Sequence, residues 1–382
     1  MNSLTSRDVV RIGDGMVPPR AGLTGLLAAP VPHDEALQRG LAAVPASDIQ
    51  RLLDDIAYHR LDGLAHRALA RLPQDSINPW LRSSLRRRSQ RFAAATLSHA
   101  LALTDVLESL GRASIPVAVM RGLRTIESIY GDRSLRPFED HDLLVLPENR
   151  DLARTVLLRL GYEEEAWGLF RRGGVIVDLH VDPLGAHRRP SRQSVFPVHL
   201  PSLFSRATPG LVAGAPSLIF EPEDELLLLA IHLVKHSFNR LVWLADVAHF
   251  VYQRRCDLDW DLLFRRARSC GASRILGWTL QALALLGVAV RAVDVPALED
   301  DGPLERFLMR RVLDSRPLPS TGDALMILAA PTLRSRLLFL LDALRPSTES
   351  PKGARRTTGS LRPRVFDIRT GDAFRVVARR RR

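Results

Sequence analysis

The chain has 382 residues, of which 46% are hydrophobic, 25% charged and 6% aromatic. That balance excludes a collagen-like, coiled-coil or wholly disordered chain, and the length suits two or three packed units. Cys256 and Cys270 are the only cysteines, so a disulfide framework is excluded and a reduced compartment is indicated.

The formal net charge is +12, yet Lys235 and Lys352 are the only lysines among 54 basic residues. An arginine skew of this kind points to coding composition more than to phosphate binding. The charge is also uneven, because residues 346–382 hold 11 Lys+Arg against 3 Asp+Glu, which is +8 of the total. That segment, with its run Arg379, Arg380, Arg381 and Arg382, reads as a solvated basic tail. Contact with nucleic acid or an anionic membrane surface is the competing reading. The first 30 residues carry no apolar stretch of signal-peptide type. The longest uncharged apolar run, Ile275 to Val290, is 16 residues, short of the roughly 20 that a membrane span needs. A cytoplasmic protein without a transmembrane segment is expected.

Up to about Ala46 the chain is rich in Pro, Gly and Ala and shows no strong period. Ser47 or Asp48 is expected to cap a helix whose Ile49, Leu52, Leu53 and Ile56 share one face. A longer helix follows Pro79 and reaches Leu110. It carries a basic stripe (Arg82, Arg86, Arg87, Arg88, Arg91) and then an apolar one (Ala100, Leu103, Val106, Leu107, Leu110). At Gly111 the texture changes. Ile115–Met120 reads as a strand buried on both faces, Gly122 to Tyr130 as a helix, His141 to Leu146 as a strand, and Glu148 to Leu160 as a helix. Tyr162 to Phe170 and Val175 to Val181 read as two further strands, with Gly173-Gly174 as the turn. From Glu221 the pattern is helical again, near 223–237, 240–254, 259–270 and 272–288, with apolar segments near 303–314 and 322–345. The organisation is therefore an N-terminal helical region (1–112), an α/β core (113–220), a C-terminal helical domain (221–345) and the basic tail (346–382).

The most informative stretch runs from Arg136 to Val145. Asp140 and Asp142 lie two apart at the start of a strand, so their side chains point to one side. Like charges held together are costly unless a cation neutralises them, which makes this pair a candidate divalent-metal site. Mg²⁺ favours one or two carboxylates plus substrate phosphates, which suits phosphoryl or nucleotidyl transfer. Asp178, in the apolar run Val175-Ile176-Val177-Asp178-Leu179-His180, supplies a third acid if its strand lies beside the first. A pair of acids facing solvent is the bland alternative.

Several pieces in order carry a resemblance. Met120-Arg121-Gly122, Ile129-Tyr130, Arg136-Pro137, Asp140-His141-Asp142-Leu143-Leu144-Val145, Gly161-Tyr162 and Asp178-Leu179-His180 come first. His232-Leu233-Val234-Lys235-His236, Leu241-Val242-Trp243-Leu244-Ala245-Asp246-Val247 and Leu258-Asp259-Trp260 follow. Together, over roughly residues 95–290, they resemble the uncharacterised nucleotidyltransferase family of the polymerase-beta-like superfamily. The resemblance implies an α+β fold, with a small mixed-sheet core flanked by N-terminal and C-terminal helical regions. It also implies a divalent metal, Mg²⁺ or Mn²⁺, and transfer of a nucleotidyl group from ATP or another nucleoside triphosphate to an unidentified acceptor. Position by position, Asp140, Asp142 and Asp178 would be the catalytic carboxylates and metal ligands, with Asp178 also a candidate base for the acceptor hydroxyl. Gly122 would let the backbone approach the phosphates. Two departures stand out: Arg121 occupies a position where the family usually has Lys, and Leu123 follows Gly122 where the wider superfamily has Gly-Ser.

His232 and His236 have the spacing of a zinc pair, but the zinc protease signature needs Glu at position 233, which is Leu. The resemblance instead places His232, Lys235, His236 and Asp246 in the cleft facing the sheet, on nucleotide or acceptor, against the alternative of a polar helix–helix contact. Arg136 could reach the triphosphate or form a structural salt bridge with Glu139 or a nearby acid. His180 shares a face with Asp178 and either orients it, meets the acceptor, or is a satisfied core histidine. No P-loop, GxGxxG fingerprint or GxSxG elbow is present. The expected activity is Mg²⁺-dependent transfer of a nucleoside monophosphate to a hydroxyl or phosphate acceptor. An inactive accessory protein of the same fold is the rival, and nucleic-acid binding through the tail a third reading.

Overall fold

The computed structural model describes residues 22–186, 191–254, 257–288, 302–313, 321–330 and 332–344. The basic segment 346–382, Lys352 and Cys256 lie outside the described residues.

Among the described residues the first elements are helices α1 (Gly22–Ala28), α2 (Asp34–Ala42), α3 (Ile49–Tyr58), α4 (Asp62–Ala70) and α5 (Pro79–Arg112). The sequence led us to expect Ser47 or Asp48 to cap α3, but neither does so through its side chain. A short 3₁₀ turn, Ala46–Asp48, leads into the helix instead, and Ser47 Oγ donates to Asp48 Oδ1 at 3.3 Å. α5 has a cleaner start: Asn78 Oδ1 accepts from the amides of Trp80 and Leu81, with Pro79 at the first helical position. At 34 residues it serves two cores. Leu81 and Leu85 enter a helical core, whereas Leu103, Val106, Leu107 and Leu110 pack on the sheet.

The sheet takes its strands from the middle of the chain: β1 (Val117–Val119), β2 (Asp140–Val145), β3 (Glu163–Ala166), β4 (Leu169–Arg172), β5 (Val175–His180), β6 (Thr208–Val212) and β7 (Ala215–Ile219). Their spatial order is β3-β4-β5-β2-β1-β7-β6. The β2–β5 and β1–β7 pairs are parallel and the others antiparallel. Among the described residues four short helices connect them: α6 (Leu123–Thr125), continued by a π turn at Ile126–Tyr130, α7 (Arg150–Arg159), α8 (Ser191–Val195) and α9 (Leu200–Arg206).

Within the sheet, two elements depart from the sequence reading. The stretch read as one strand from Tyr162 to Phe170 is a hairpin, folded at Trp167-Gly168. Gly168 has φ +77°, and a Cβ there would lie 2.7 Å from the Leu179 carbonyl oxygen, so the turn requires glycine. The β6–β7 hairpin was not anticipated at all.

Among the described residues seven helices follow: α10 (Pro222–Lys235), α11 (Leu241–Arg254), α12 (Trp260–Ser269), α13 (Ser273–Ala282), α14 (Pro303–Leu313), α15 (Thr321–Ala329) and α16 (Leu333–Leu344). The apolar segment near 322–345 is thus two helices. Leu27, Ile56, Leu64 and Leu81 share one buried core with Leu226, Phe250, Trp278 and Phe339. The N-terminal and C-terminal helices therefore pack together beside an α+β mixed-sheet core. No helix among the described residues is long and apolar enough to cross a membrane.

Candidate metal and nucleotide site

The parallel register of β2 and β5 sets Asp142 directly opposite Asp178, and Leu144 opposite His180. Strand alternation then gathers Asp140, Asp142, Asp178 and His180 on one face. His141 falls on the other, its ring 5.3 Å from those of His99 and Phe138. Asp142, Asp178 and His180 are all buried. His180 Nε2 lies 2.9 Å from Asp142 Oδ1 and 3.3 Å from Asp178 Oδ2. From the end of β1, Arg121 grips the same acid, with Nε 2.9 Å from Asp142 Oδ2 and Nη2 2.6 Å from Oδ1. Gly122 turns the chain into α6 with φ +66°. A Cβ here would meet the Asp140 carbonyl oxygen at 3.0 Å and the Phe138 ring at 3.3 Å, so the strand-to-helix turn is reserved for glycine.

The electrostatics separate the two acids of β2. Burial, the Asp142 charge and, less strongly, Asp178 raise the Asp140 carboxyl to about 6, despite Arg121. Burial alone would raise Asp142 too, but Arg121 and His180 outweigh it and hold that carboxyl far below the usual range. His180 is raised: burial opposes its charge, and hydrogen bonds to Asp142 and Asp178 prevail. Asp142 is thus a fixed anion in a network of paired charges.

Among the described residues, the only group of three or more acidic, histidine or cysteine side chains with ligand atoms in mutual reach is Asp142, Asp178 and His180, all within 4.8 Å of one another. Two carboxylates suit a hard divalent cation, and the imidazole nitrogen extends the fit toward Mn²⁺. Asp140 is outside that group, one step up the strand.

The end of α10 supplies the opposite charge. Lys235 Nζ and Arg192 Nη1 both flank Gly185, where a Cβ would lie 3.9 and 3.5 Å from them. Burial, followed by Lys235, Arg121 and Arg192, pushes His236 well below its ordinary value, so all three cations bear on this imidazole. His232 is lowered likewise, by burial and then Arg121. The His232, His236 and Trp243 rings form one cluster, with centroids 4.4 Å (His232–His236), 5.4 Å (His232–Trp243) and 4.7 Å (His236–Trp243) apart. Arg192 was not singled out from sequence, since it follows no motif and reaches the site only through the fold.

Arg136 and Asp246 meet each other. Arg136 Nε lies 3.2 Å from both Asp246 oxygens and Nη2 2.8 Å from Oδ2, while Tyr130 Oη donates to Oδ1 at 2.9 Å. All three are buried. The Arg136 partner is therefore an acid 110 residues away rather than Glu139, which pairs with Arg60.

A mixed sheet carrying buried acids on adjacent parallel strands, beside a strand–glycine–helix turn, defines an α+β protein of nucleotidyltransferase type. The chain belongs to the uncharacterised nucleotidyltransferase family, whose sequence pattern matches residues 45–287. Among solved structures it is similar to an antigenic nucleotidyltransferase-like protein from Paracoccidioides brasiliensis. The two are 16% identical over 52% of this chain and 96% of that one, with a TM-score of 0.30. No curated protein matches the chain.

Proposed function

We propose that the chain transfers a nucleoside monophosphate from ATP or another nucleoside triphosphate to a hydroxyl or phosphate acceptor, with Mg²⁺ or Mn²⁺. The observation that carries this reading is the register pairing Asp142 with Asp178 on one buried face, next to the Gly122 turn. Asp142 and Asp178 would hold the ion, with Asp140 and His180 beside them. A divalent ion bound there supplies charge neutralisation at the triphosphate and lowers the pKa of an acceptor oxygen.

The protein's own groups do the rest. Arg121, a rigid two-pronged donor, exchanges its Asp142 partner for phosphate oxygens when nucleotide arrives. Lys235 and Arg192 add positive charge where the triphosphate would lie. Asp178 takes the proton from the acceptor hydroxyl as its oxygen attacks the α-phosphorus in line. The bond from that phosphorus to the bridging oxygen breaks and pyrophosphate leaves. His180, bridging both carboxylates, holds them in place. His236 and Trp243 offer ring surfaces for the base. Tyr130, Arg136 and Asp246 act at a distance from the chemistry by fixing the loop that leads into β2.

One observation favours a second reading, that of a binding protein without turnover. Arg121 and His180 both engage Asp142, so the acid is already satisfied by protein partners. Thermal melting with each of ATP, CTP, GTP and UTP, with and without Mg²⁺, separates the possibilities. Ligand at about 100 times its dissociation constant adds roughly 2.7 kcal/mol. A Mg²⁺-dependent rise for one nucleotide, lost in an Asp140→Asn/Asp142→Asn variant, supports the metal site and names the donor. Release of pyrophosphate by that nucleotide with acceptor then distinguishes transferase from binder. No rise with any nucleotide overturns the site.

A further inference from the structure

The loop between α3 and α4 reaches the ring cluster at the start of α11. The His59 carbonyl accepts from the Val242 amide and its ring Nδ1 from the Leu241 amide, each at 3.3 Å. Arg240 joins the two elements, with its guanidinium carbon 5.9 Å from the ring centres of both Tyr58 and Trp243. Arg60, next in the loop, pairs with Glu139, whose side chain is 71% exposed and which directly precedes Asp140. Both members of that pair bear on Arg240: burial and then Arg60 lower its guanidinium, while Glu139 and Tyr58 oppose them. A half-buried indole, two guanidinium groups and a carboxylate therefore stand together beside the acids of β2.

The backbone on both sides is held at a cost. Arg60 has φ +58° just past the end of α3, where the Arg60 and Leu61 amides close back on the Ala57 and Ile56 carbonyls at 3.0 and 2.9 Å. Glycine meets that conformation most cheaply. An ion pair with so exposed a partner adds little to stability, so the fold alone does not account for arginine here. Ser237 and Phe238, directly after Lys235 and His236, are also left-handed, at φ +59° and +54°. Non-glycine residues held in this way cluster where a ligand is clamped.

The donors and acceptors at this rim select among the bases. A carboxylate accepts two hydrogen bonds side by side, and a guanidinium donates two. Guanine alone among the four bases offers adjacent N–H groups, at N1 and N2, for the first, and it offers O6 and N7 for the second. Adenine and cytosine would set a ring nitrogen lone pair against the carboxylate, and uracil has a single N–H.

We infer that the α3–α4 loop completes the base site and that the nucleotide it selects is GTP, with guanine on Trp243, its N1 and N2 donating to Glu139, and its O6 and N7 accepting from Arg240. Arg60 is a positioning residue, which acts by holding Glu139. The inference rests on the nucleotidyl-transfer reading of the same cleft.

The test is calorimetric titration of the full chain, in Mg²⁺, with GTP, ATP, CTP, UTP and inosine triphosphate, which has the guanine edge without its N2 amine. GTP is expected to bind at least about tenfold more tightly than ATP, CTP or UTP, and inosine triphosphate more weakly than GTP. Glu139→Gln should remove at least about tenfold of the GTP preference and leave ATP binding little changed. Arg60→Gly suits φ +58° and should keep the melting temperature, yet narrow the gap between GTP and inosine triphosphate. A merely structural arginine would change the melting temperature and leave that gap alone. Mg²⁺-dependent binding that prefers ATP, CTP or UTP overturns the inference and leaves the transfer reading standing. So does a GTP preference that Glu139→Gln does not alter. Failure of every nucleotide to bind overturns both.

Discussion

Arg121 holds both carboxylate oxygens of Asp142, across a contact in which each side chain is buried. Neutralising one member leaves the other charge without its partner in a dry site. Asp142→Asn should therefore cost about 3–5 kcal/mol of folding stability, and Arg121→Met a similar amount. The double variant should be less destabilised than the sum of the two. Urea denaturation of all four forms measures the coupling, and simple additivity would show that the pair does not interact.

Asp178 faces Asp142 across the parallel strands. Its replacement by Asn keeps the shape and removes both the charge and the proton acceptor. We expect pyrophosphate release to drop at least about 100-fold and Mn²⁺ binding, followed by calorimetry, to weaken in the same variant. A rate within twofold of the original would remove Asp178 from the chemistry.

The Tyr130–Asp246–Arg136 cluster predicts a different signature. Asp246→Ala strands a buried guanidinium and should cost about 3–5 kcal/mol, whereas Tyr130→Phe loses one hydrogen bond and should cost about 1–2 kcal/mol. Both are readable in chemical denaturation. Nucleotide binding, corrected for the fraction folded, should survive Tyr130→Phe.

His249 gives the fold an acid-sensitive point. It is buried, its Nε2 lies 3.2 Å from the Ala28 carbonyl, and burial followed by Arg67 lowers its pKa from 6.5 to about 3. The imidazole is neutral when folded and takes up a proton when unfolded. Its contribution is complete above pH 6.5 and is lost as pH falls from there toward 3. His59, lowered to about 4 mainly by burial, acts in the same direction. Melting temperatures measured between pH 7 and 4 should fall, and His249→Gln should make that slope shallower. An unchanged slope would show that His249 does not drive it.

Gly322 begins α15 against the end of α10. Its amide donates to Ser237 Oγ at 2.8 Å, and a Cβ would lie only 1.8 Å from the Val234 carbonyl oxygen. Gly322→Ala must separate the two helices, at about 1–3 kcal/mol. Because Lys235 and His236 sit at that junction, nucleotide-dependent stabilisation should weaken along with the melt. A variant that melts normally would mean the helices shift without cost.

What could be read from the residues alone follows physical range. The β2 acids, the β5 acid and the Gly122 turn were legible because alternation and turn chemistry act over a few residues. α5 was legible because thirty-odd residues of helical period leave little ambiguity. The β6–β7 hairpin was not, since Pro209, Gly210, Gly214 and Pro216 dilute any strand pattern, although Ala213-Gly214 with φ +55° and +80° is a hairpin turn. The 162–170 stretch misled because its only break is Gly168, whose need for positive φ comes from the neighbouring strand. Arg192 and the Arg136–Asp246 pair were beyond local reading, since each is set by partners far away in sequence.

The core shared by the first and last helices bears on how the chain is made. Leu27, Ile56 and Leu64 leave the ribosome well before Trp278 and Phe339, the residues with which they share a core. During synthesis the early helices can pack on one another and on α5, but the late half of their core is still missing, while the sheet between them can close from nearer segments. The last step of maturation is then the capture of these waiting helices by the late ones, a long-range closure that is slow and prone to misassociation. A stalled or shortened message would release a chain whose sheet is formed and whose helical half is not. Such a chain is a natural client for chaperones.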